Sequence, residues 1–412
     1  MSMKFKSILI IISISLSGCT GILDDDDDDD GFLDDVDSFP NDPDEWSDND
    51  GDGIGDNEDK DDDNDGYEDL IEMDCFTDPL NLSSIPLDND GDSICDPIDE
   101  DIDGDELPNS WEILHGFDPY DATDKLVCHD ESRYCLRAYD DFTFAETHNS
   151  FSTVEDGVWM AVNHMTSLEA QWNGGIRAFM LDTHHLSKEE TTESDVRFCH
   201  GDPNSDFLHP CSYSEVNAHL WLDKLHSLMN NSTGDVVTIL LENYIPANHL
   251  SSLFNHSGLL ELAYIHDAHS PWPTLGEMII SGKRLVIFWD WQFDQEYPWL
   301  HHAWTHSWDT PYGENDQSEM SCKLGRGDQN QPVWHLNNWL SSIYGFADPV
   351  RSKQVNEYET LLQRTLECWE ENNNRPTFIA VDFWEDGELT NVTKSINNLN
   401  HWSDNQSDIN SK

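Results

Sequence analysis

Three observations on this 412-residue chain predict an α/β barrel preceded by an arm of little regular secondary structure. From Leu136 onward, short apolar stretches with β-branched or aromatic residues alternate with longer helical patterns, as in an α/β fold. Several of those stretches finish in polar or charged residues, so that parallel strands would deliver reactive side chains to one mouth. Charge, finally, divides the chain. Its 84 Asp and Glu against 20 Lys and Arg leave a formal charge of −64, which repels phosphate backbones and argues against nucleic acid as a partner. Residues 20–127 hold 42 acidic side chains and only two basic ones, Lys60 and Lys125, whereas residues 128–412 hold 42 and 16. The second part, about 285 residues with abundant Trp, Phe, Leu and Ile, is long enough to bury one large core. The first cannot fold by apolar burial alone, because closely spaced carboxylates repel one another unless cations sit between them.

Taken in order, residues 1–19 read as an export signal: Lys4 and Lys6, an apolar run at 8–16, then Leu16-Ser17-Gly18-Cys19. That ending resembles a bacterial lipoprotein signal, which implies an acylated Cys19 and lipid anchoring at the bacterial cell envelope. Without Cys19, eight of the nine cysteines remain, and an even set in an exported chain reads as disulfides. Proximity suggests Cys75 with Cys95, Cys128 with Cys135, Cys199 with Cys211, and Cys322 with Cys368. Residues 20–47, with seven consecutive Asp at 24–30, read as an acidic flexible tether.

In residues 48–127 a spacing appears that random acidity would not give. Asp61, Asp63 and Asp65, then Gly66 and, after five intervening residues, Glu72, place oxygen ligands at positions 1, 3, 5 and 12 of a calcium loop, with glycine at the sharp turn. Asp48, Asp50 and Asp52 begin a second such loop, Asp88, Asp90 and Asp92 a third, and Asp101, Asp103 and Asp105 with Glu112 a fourth. The stretch DIDGDELPNSWEILHGFDP and its relatives resemble thrombospondin type 3 calcium repeats, which implies a calcium-organised arm that spaces the second domain from the membrane.

Residues 128–402 carry the polar strand ends, and a polar tail follows at 403–412. FTFAETHNS ends near His148 and Asn149, GIRAFMLDTHH contains Asp182, VVTILLENY contains Glu242 and Asn243, RLVIFWDW contains Asp290, and TFIAVDFW contains Asp382; His200 lies in RFCHGD. Of two imidazoles titrating near neutrality, one can take a proton from an attacking hydroxyl while the other gives one to a leaving oxygen. An Asn carbonyl with two carboxylates forms a hard oxygen site suited to calcium rather than zinc. A divalent cation beside two histidines would steady the charge on a displaced phosphate, so the set points to phosphodiester cleavage.

These segments also match a family. THNSF (147–151), GIRAFMLD (175–182), CHG (199–201), VVTILLENY (236–244) and FIAVDFW (378–384) resemble the X domain of phosphatidylinositol-specific phospholipase C and related phosphodiesterases, over residues 136–400. The resemblance implies a distorted TIM barrel that acts on a phospholipid or other phosphodiester in two steps through a cyclic phosphodiester. His148 and His200 are then the catalytic histidines, and Asn149, Asp182 and Glu242 the calcium ligands. Two departures bear on the metal. Met180 stands where calcium-dependent members have a further carboxylate, which implies a weaker site or one completed by water; Asp182 stands where metal-independent members have Arg, which favours a metal. Asp382 is expected to orient His148. His184, His185, His301, His302 and His306 lack a metal-site spacing and read as surface or lining residues. The rival readings are a phosphodiesterase acting on glycerophosphodiesters or a phosphorylated glycan, and a non-catalytic calcium-dependent adhesion protein.

Overall fold

The computed structural model describes residues 26–189, 191–201, 209–212, 214–291, 294–342 and 345–403. The expected signal with Cys19, the first two aspartates of the seven-Asp run and the tail beyond Ser403 lie outside the described residues. The chain divides into two compact units, one of residues up to 104 with 108–122, the other of 105–107 with 123 onward.

In the first unit, regular structure among the described residues is limited to two short helices, Asp69–Asp74 and Asn109–His115. Backbone N–H groups that would pair in a ladder elsewhere donate here to aspartates. Gly51 N–H donates to Asp48 Oδ1 (2.8 Å) and Gly53 N–H to Asp48 Oδ2 (3.2 Å), with Gly51 and Gly53 at φ of 81° and 94°. The same bonds recur 40 residues on, from Gly91 (2.8 Å) and Ser93 (3.1 Å) to Asp88. Asn49 Nδ2 donates to Leu80 O (2.9 Å), as Asn89 Nδ2 does to Tyr120 O (3.4 Å). The two helices follow the same offset and each buries one glutamate, Glu72 and Glu112. This is an internal duplication, visible in the sequence as Asp-Asn-Asp-Gly-Asp at 48 and 88.

The segment expected to be an acidic tether is described from Asp26 onward. From residue 26 it is a chain of turns: Asp27 N–H donates to Asp34 Oδ1 (3.0 Å), Gly31 N–H to Asp26 Oδ2 (3.2 Å), and Phe32 stacks on Trp46 with centroids 5.1 Å apart. Alternate aspartates of the run accept the bonds seen in the other loops, a spacing that a homopolymer conceals.

The second unit is built on a sheet of ten strands: β1 Phe144–Thr147, β2 Ala178–His185, β3 Val196–Phe198, β4 Val216–Asn217, β5 Val237–Asn243, β6 Leu285–Trp289, β7 Leu300–His302, β8 Ser307–Asp309, β9 Val333–Asn337 and β10 Phe378–Val381. Eight of them run parallel in the order β7-β6-β5-β2-β1-β10-β9-β8, while β3 and β4 extend β2 as an antiparallel flap. The path follows chain order around a barrel that closes between β1 and β10. Among the described residues no ladder joins β7 to β8, so the barrel is open there.

Alternate strand residues such as Ala145, Phe179, Leu181, Ile239, Leu241, Ile379 and Val381 belong to the apolar core shared with the helices. Helix Ala218–Asn231 shows why: Asn217 caps it by accepting from Leu220 N–H, and Ala218, Trp221, Leu222, Leu225 and Met229 line its one buried stripe. The four disulfides pair Cys75–Cys95, Cys128–Cys135, Cys199–Cys211 and Cys322–Cys368, as their proximity suggested. The reading of the leftover histidines needs correction: His184, His301 and His306 are buried. His301 is satisfied within the wall, its Nε2 accepting from His266 N–H (2.9 Å) and its Nδ1 bonding Ile287 O (3.0 Å).

Candidate active site

At the carboxyl ends of the strands the structure brings the expected barrel residues together. His148 and Asn149 follow β1, Asp182 lies on β2, Glu242 on β5, and Asp382 directly after β10. A polar cleft of about 60 Å³ is lined by His148, Asn149, Asp182, Glu242 and Asp290, with Trp304, Tyr312, Arg326 and Trp339.

His148 is held from three directions. Its Nδ1 donates to Asp382 Oδ1 at 3.0 Å, and its ring lies flat on Trp339, centroids 4.2 Å apart and 5° from parallel. Its carbonyl accepts from His164 Nε2 (2.8 Å), an imidazole that burial pushes down to about 4 and so keeps neutral. Asn163 Nδ2 donates to the same Asp382 oxygen at 2.7 Å, so the buried carboxylate is fixed before it orients His148.

His200 enters from the Cys199–Cys211 loop, its Nδ1 3.1 Å from Asp182 Oδ2 and 3.0 Å from the Asn149 amide. Burial works to depress this imidazole, but the Asp182 hydrogen bond and the charges of Asp182, Glu242 and Asp382 outweigh it and raise its pKa. The two rings stand 6.5 Å apart at 86°. Asn149 sits between them in the left-handed region at φ 50°, which Asn tolerates better than other side chains.

Asp182 and Glu242 are register partners on β2 and β5. Burial, then the charge of Asp182, raises the Glu242 carboxyl. With the Asn149 amide they form an oxygen-rich donor set that fits calcium. Among the described residues, however, groups of three or more His, Cys, Asp or Glu ligand atoms within 4.8 Å occur only in the aspartate loops: 26/28/30, 48/50/52, 61/63/65, 88/90/92 and 101/103/105. Glu72 is fully buried behind the third of these, and Glu112 is buried likewise. The group at Asp26, Asp28 and Asp30 was not foreseen.

Also missed were Asn163, Trp339, Tyr312 and Arg326. Arg326 lies over Trp304 (4.3 Å) and Tyr312 (4.6 Å) and pairs with Asp309 (2.6 Å). Asp290, noticed as a strand end, accepts from Asn243 N–H (2.9 Å).

The PI-PLC X 1 family model matches residues 134–397, most of the chain. The chain belongs to the PI-PLC X family. It is 25% identical over 306 residues to an "uncharacterized secreted protein" of the fungus Arthroderma benhamiae, covering 68% of this chain and 66% of that one, just under two thirds of its length. A "PI-PLC X domain-containing protein 1" of the same fungus is 24% identical over 290 residues, covering 66% and 90%. A phosphatidylinositol-specific phospholipase C of S. aureus matches in structure with a TM-score of 0.41 at 11% identity, over 63% of this chain and 94% of that one. The sequence relatives are fungal, and one is described as secreted; among the described residues no helix is long and apolar enough to cross a membrane.

Proposed function

We propose that this PI-PLC X protein is an exported, calcium-assisted phosphodiesterase in which His148 is the base and His200 the acid. The observation that supports this most directly is the pair of imidazoles 6.5 Å apart, each bonded through Nδ1 to its own carboxylate. With Nδ1 committed to Asp382, His148 presents Nε2 to a substrate hydroxyl and takes its proton as that oxygen attacks phosphorus. His200, hydrogen-bonded to Asp182, gives its proton to the alcohol oxygen as the bond to phosphorus breaks. Asp382 and Trp339 act by positioning the base. Calcium bound at Asn149, Asp182 and Glu242 would supply positive charge against the non-bridging oxygens. An inositol phospholipid, whose headgroup carries a hydroxyl next to the phosphate, suits this scheme.

The aspartate loops are proposed as structural calcium sites of thrombospondin type 3 character. An acyl chain on Cys19 is a further proposal, checked by incorporation of labelled fatty acid into wild-type but not Cys19→Ala protein.

Turnover of inositol, choline and glycerol phosphodiesters, with calcium or chelator, tests the reading. We expect cleavage that needs calcium, and losses of at least about 10³-fold in kcat for His148→Ala and for His200→Ala with circular dichroism unchanged. Undiminished activity in both variants would overturn the assignment, and no cleavage of any diester would leave the adhesion reading.

A further inference from the structure

Two imidazoles that do not line the polar cleft converge where β2 runs on into its antiparallel flap. His185 is the last residue of β2, and His249 lies in the first turn of helix Ala247–His256. His185 Nε2 stands 2.9 Å from His249 Nδ1, with the ring centroids 5.1 Å apart and the planes at 78°. Both side chains are half-buried, which leaves a route in from solvent. Each ring projects from a fixed element. His185 is in register with Val196 of β3, and its carbonyl lies 3.4 Å from Cys211 Sγ of the Cys199–Cys211 disulfide. The helix is seated by Leu250, Leu253 and Phe254 in the core. The two nitrogens are therefore brought together by the fold and not by the flexing of surface side chains.

Two imidazoles at this separation can share a hydrogen bond, or their lone pairs can hold one metal ion. With metal–nitrogen bonds of about 2.0–2.1 Å, nitrogens 2.9 Å apart subtend about 90° at the ion, whereas tetrahedral ligands would stand about 3.3 Å apart. A right angle between neighbouring ligands belongs to tetragonal coordination, and a tetragonal set of imidazole and oxygen ligands is what copper(II) takes up. We propose that His185 and His249 form a copper(II) site, with water filling the remaining positions. It is independent of the phosphodiesterase reading and of the oxygen-rich calcium sites. No local spacing announces it, because the ligands are 64 residues apart and meet only when the helix docks beside β2. A bound ion would cross-link the end of β2 to that helix.

Copper(II) added stepwise to the calcium-saturated whole protein, followed by electron paramagnetic resonance, tests this. We expect one tightly bound ion per chain, a tetragonal spectrum with splitting from two nitrogens, and a Tm that rises with the first equivalent. His185→Gln and His249→Gln should each weaken that binding at least about tenfold and remove the two-nitrogen signature, with circular dichroism unchanged. His249 sits half-buried in a helical first turn, so its variant carries the test should His185→Gln fail to fold. His256→Gln, seven residues along the same helix, should alter neither affinity nor spectrum. Copper held with the wild-type spectrum in His249→Gln sits elsewhere on the chain and overturns the assignment. A wild type that binds no copper, or binds it through oxygen alone, leaves the two rings as a hydrogen-bonded pair and overturns it as well.

Discussion

At the level of single residues, the two histidines differ in what backs them. His148 leans on a carboxylate that is 1% exposed and clamped by Asn163, whereas His200 leans on Asp182, which also faces Glu242. Asp382→Asn should therefore lower kcat by about 10²-fold, because an amide can no longer stabilise the imidazolium that forms, while KM and calcium affinity stay as they were. Glu242→Gln should do the opposite: relieved of its repulsion with Asp182, it removes one charge from the donor set and raises the calcium needed for half-maximal activity about tenfold. Steady-state kinetics across a calcium titration separates the two. His148, Asn149, Asp182, Glu242 and Asp382 were legible because each stands at the polar end of an apolar strand. His200 was legible beside a cysteine. Trp339, Asn163 and Arg326 were not, since a loop residue reaches such a site through tertiary folding that leaves no local pattern.

Among the elements, the long strands β2, β5 and β6 and the short β1 and β10 were readable as apolar runs, but β7 and β8 have three residues each and no pattern to reveal. β9 was missed for another reason, since its buried His335 pairs with Glu146 at 2.8 Å and breaks the apolar run. In the arm, the aspartate loops were legible from their spacing, except where the seven-Asp run hid one of them. Behind the loop of Asp61, Asp63 and Asp65, burial and then the neighbouring aspartates push the buried Glu72 up to about 7. On the calcium reading proposed above, a bound cation would offset that crowding, with Glu72 closing the loop as its last ligand. Glu72→Gln is expected to abolish one high-affinity event in a calcium titration of the whole protein and to leave the barrel's turnover unchanged. Isothermal calorimetry with a parallel activity assay reads both; an unaltered binding isotherm would remove Glu72 from the ligand set.

For the molecule as a whole, the two units draw stability from different sources and should fail under different conditions. On the proposed calcium reading the arm, with its aspartate loops, would depend on cations; the barrel depends on an apolar core and three of the four disulfides. Chelation should therefore expose residues 26–122 to limited proteolysis while 123 onward resists, as mass spectrometry of the fragments would show. Acid should act on the barrel. Burial pushes His129 and His266 down to about 4 and His301 to about 3, although Asp235 pulls His129 the other way. The unfolded chain binds these protons near pH 6.5, and the native barrel does so only about two and a half to three and a half units lower. Within that window the unfolded state holds more protons, so the contribution is complete above pH 6.5 and is lost as pH falls toward 4. For His129 alone the difference amounts to about 3 kcal/mol. Urea unfolding followed by near-ultraviolet circular dichroism, with calcium saturating, should give a midpoint that drops from pH 7 to pH 5 and further at pH 4. His129→Gln, which cannot take up the proton, should flatten that slope; equal midpoints for the wild type at pH 7 and pH 4 would mean that these imidazoles are not held neutral by the fold.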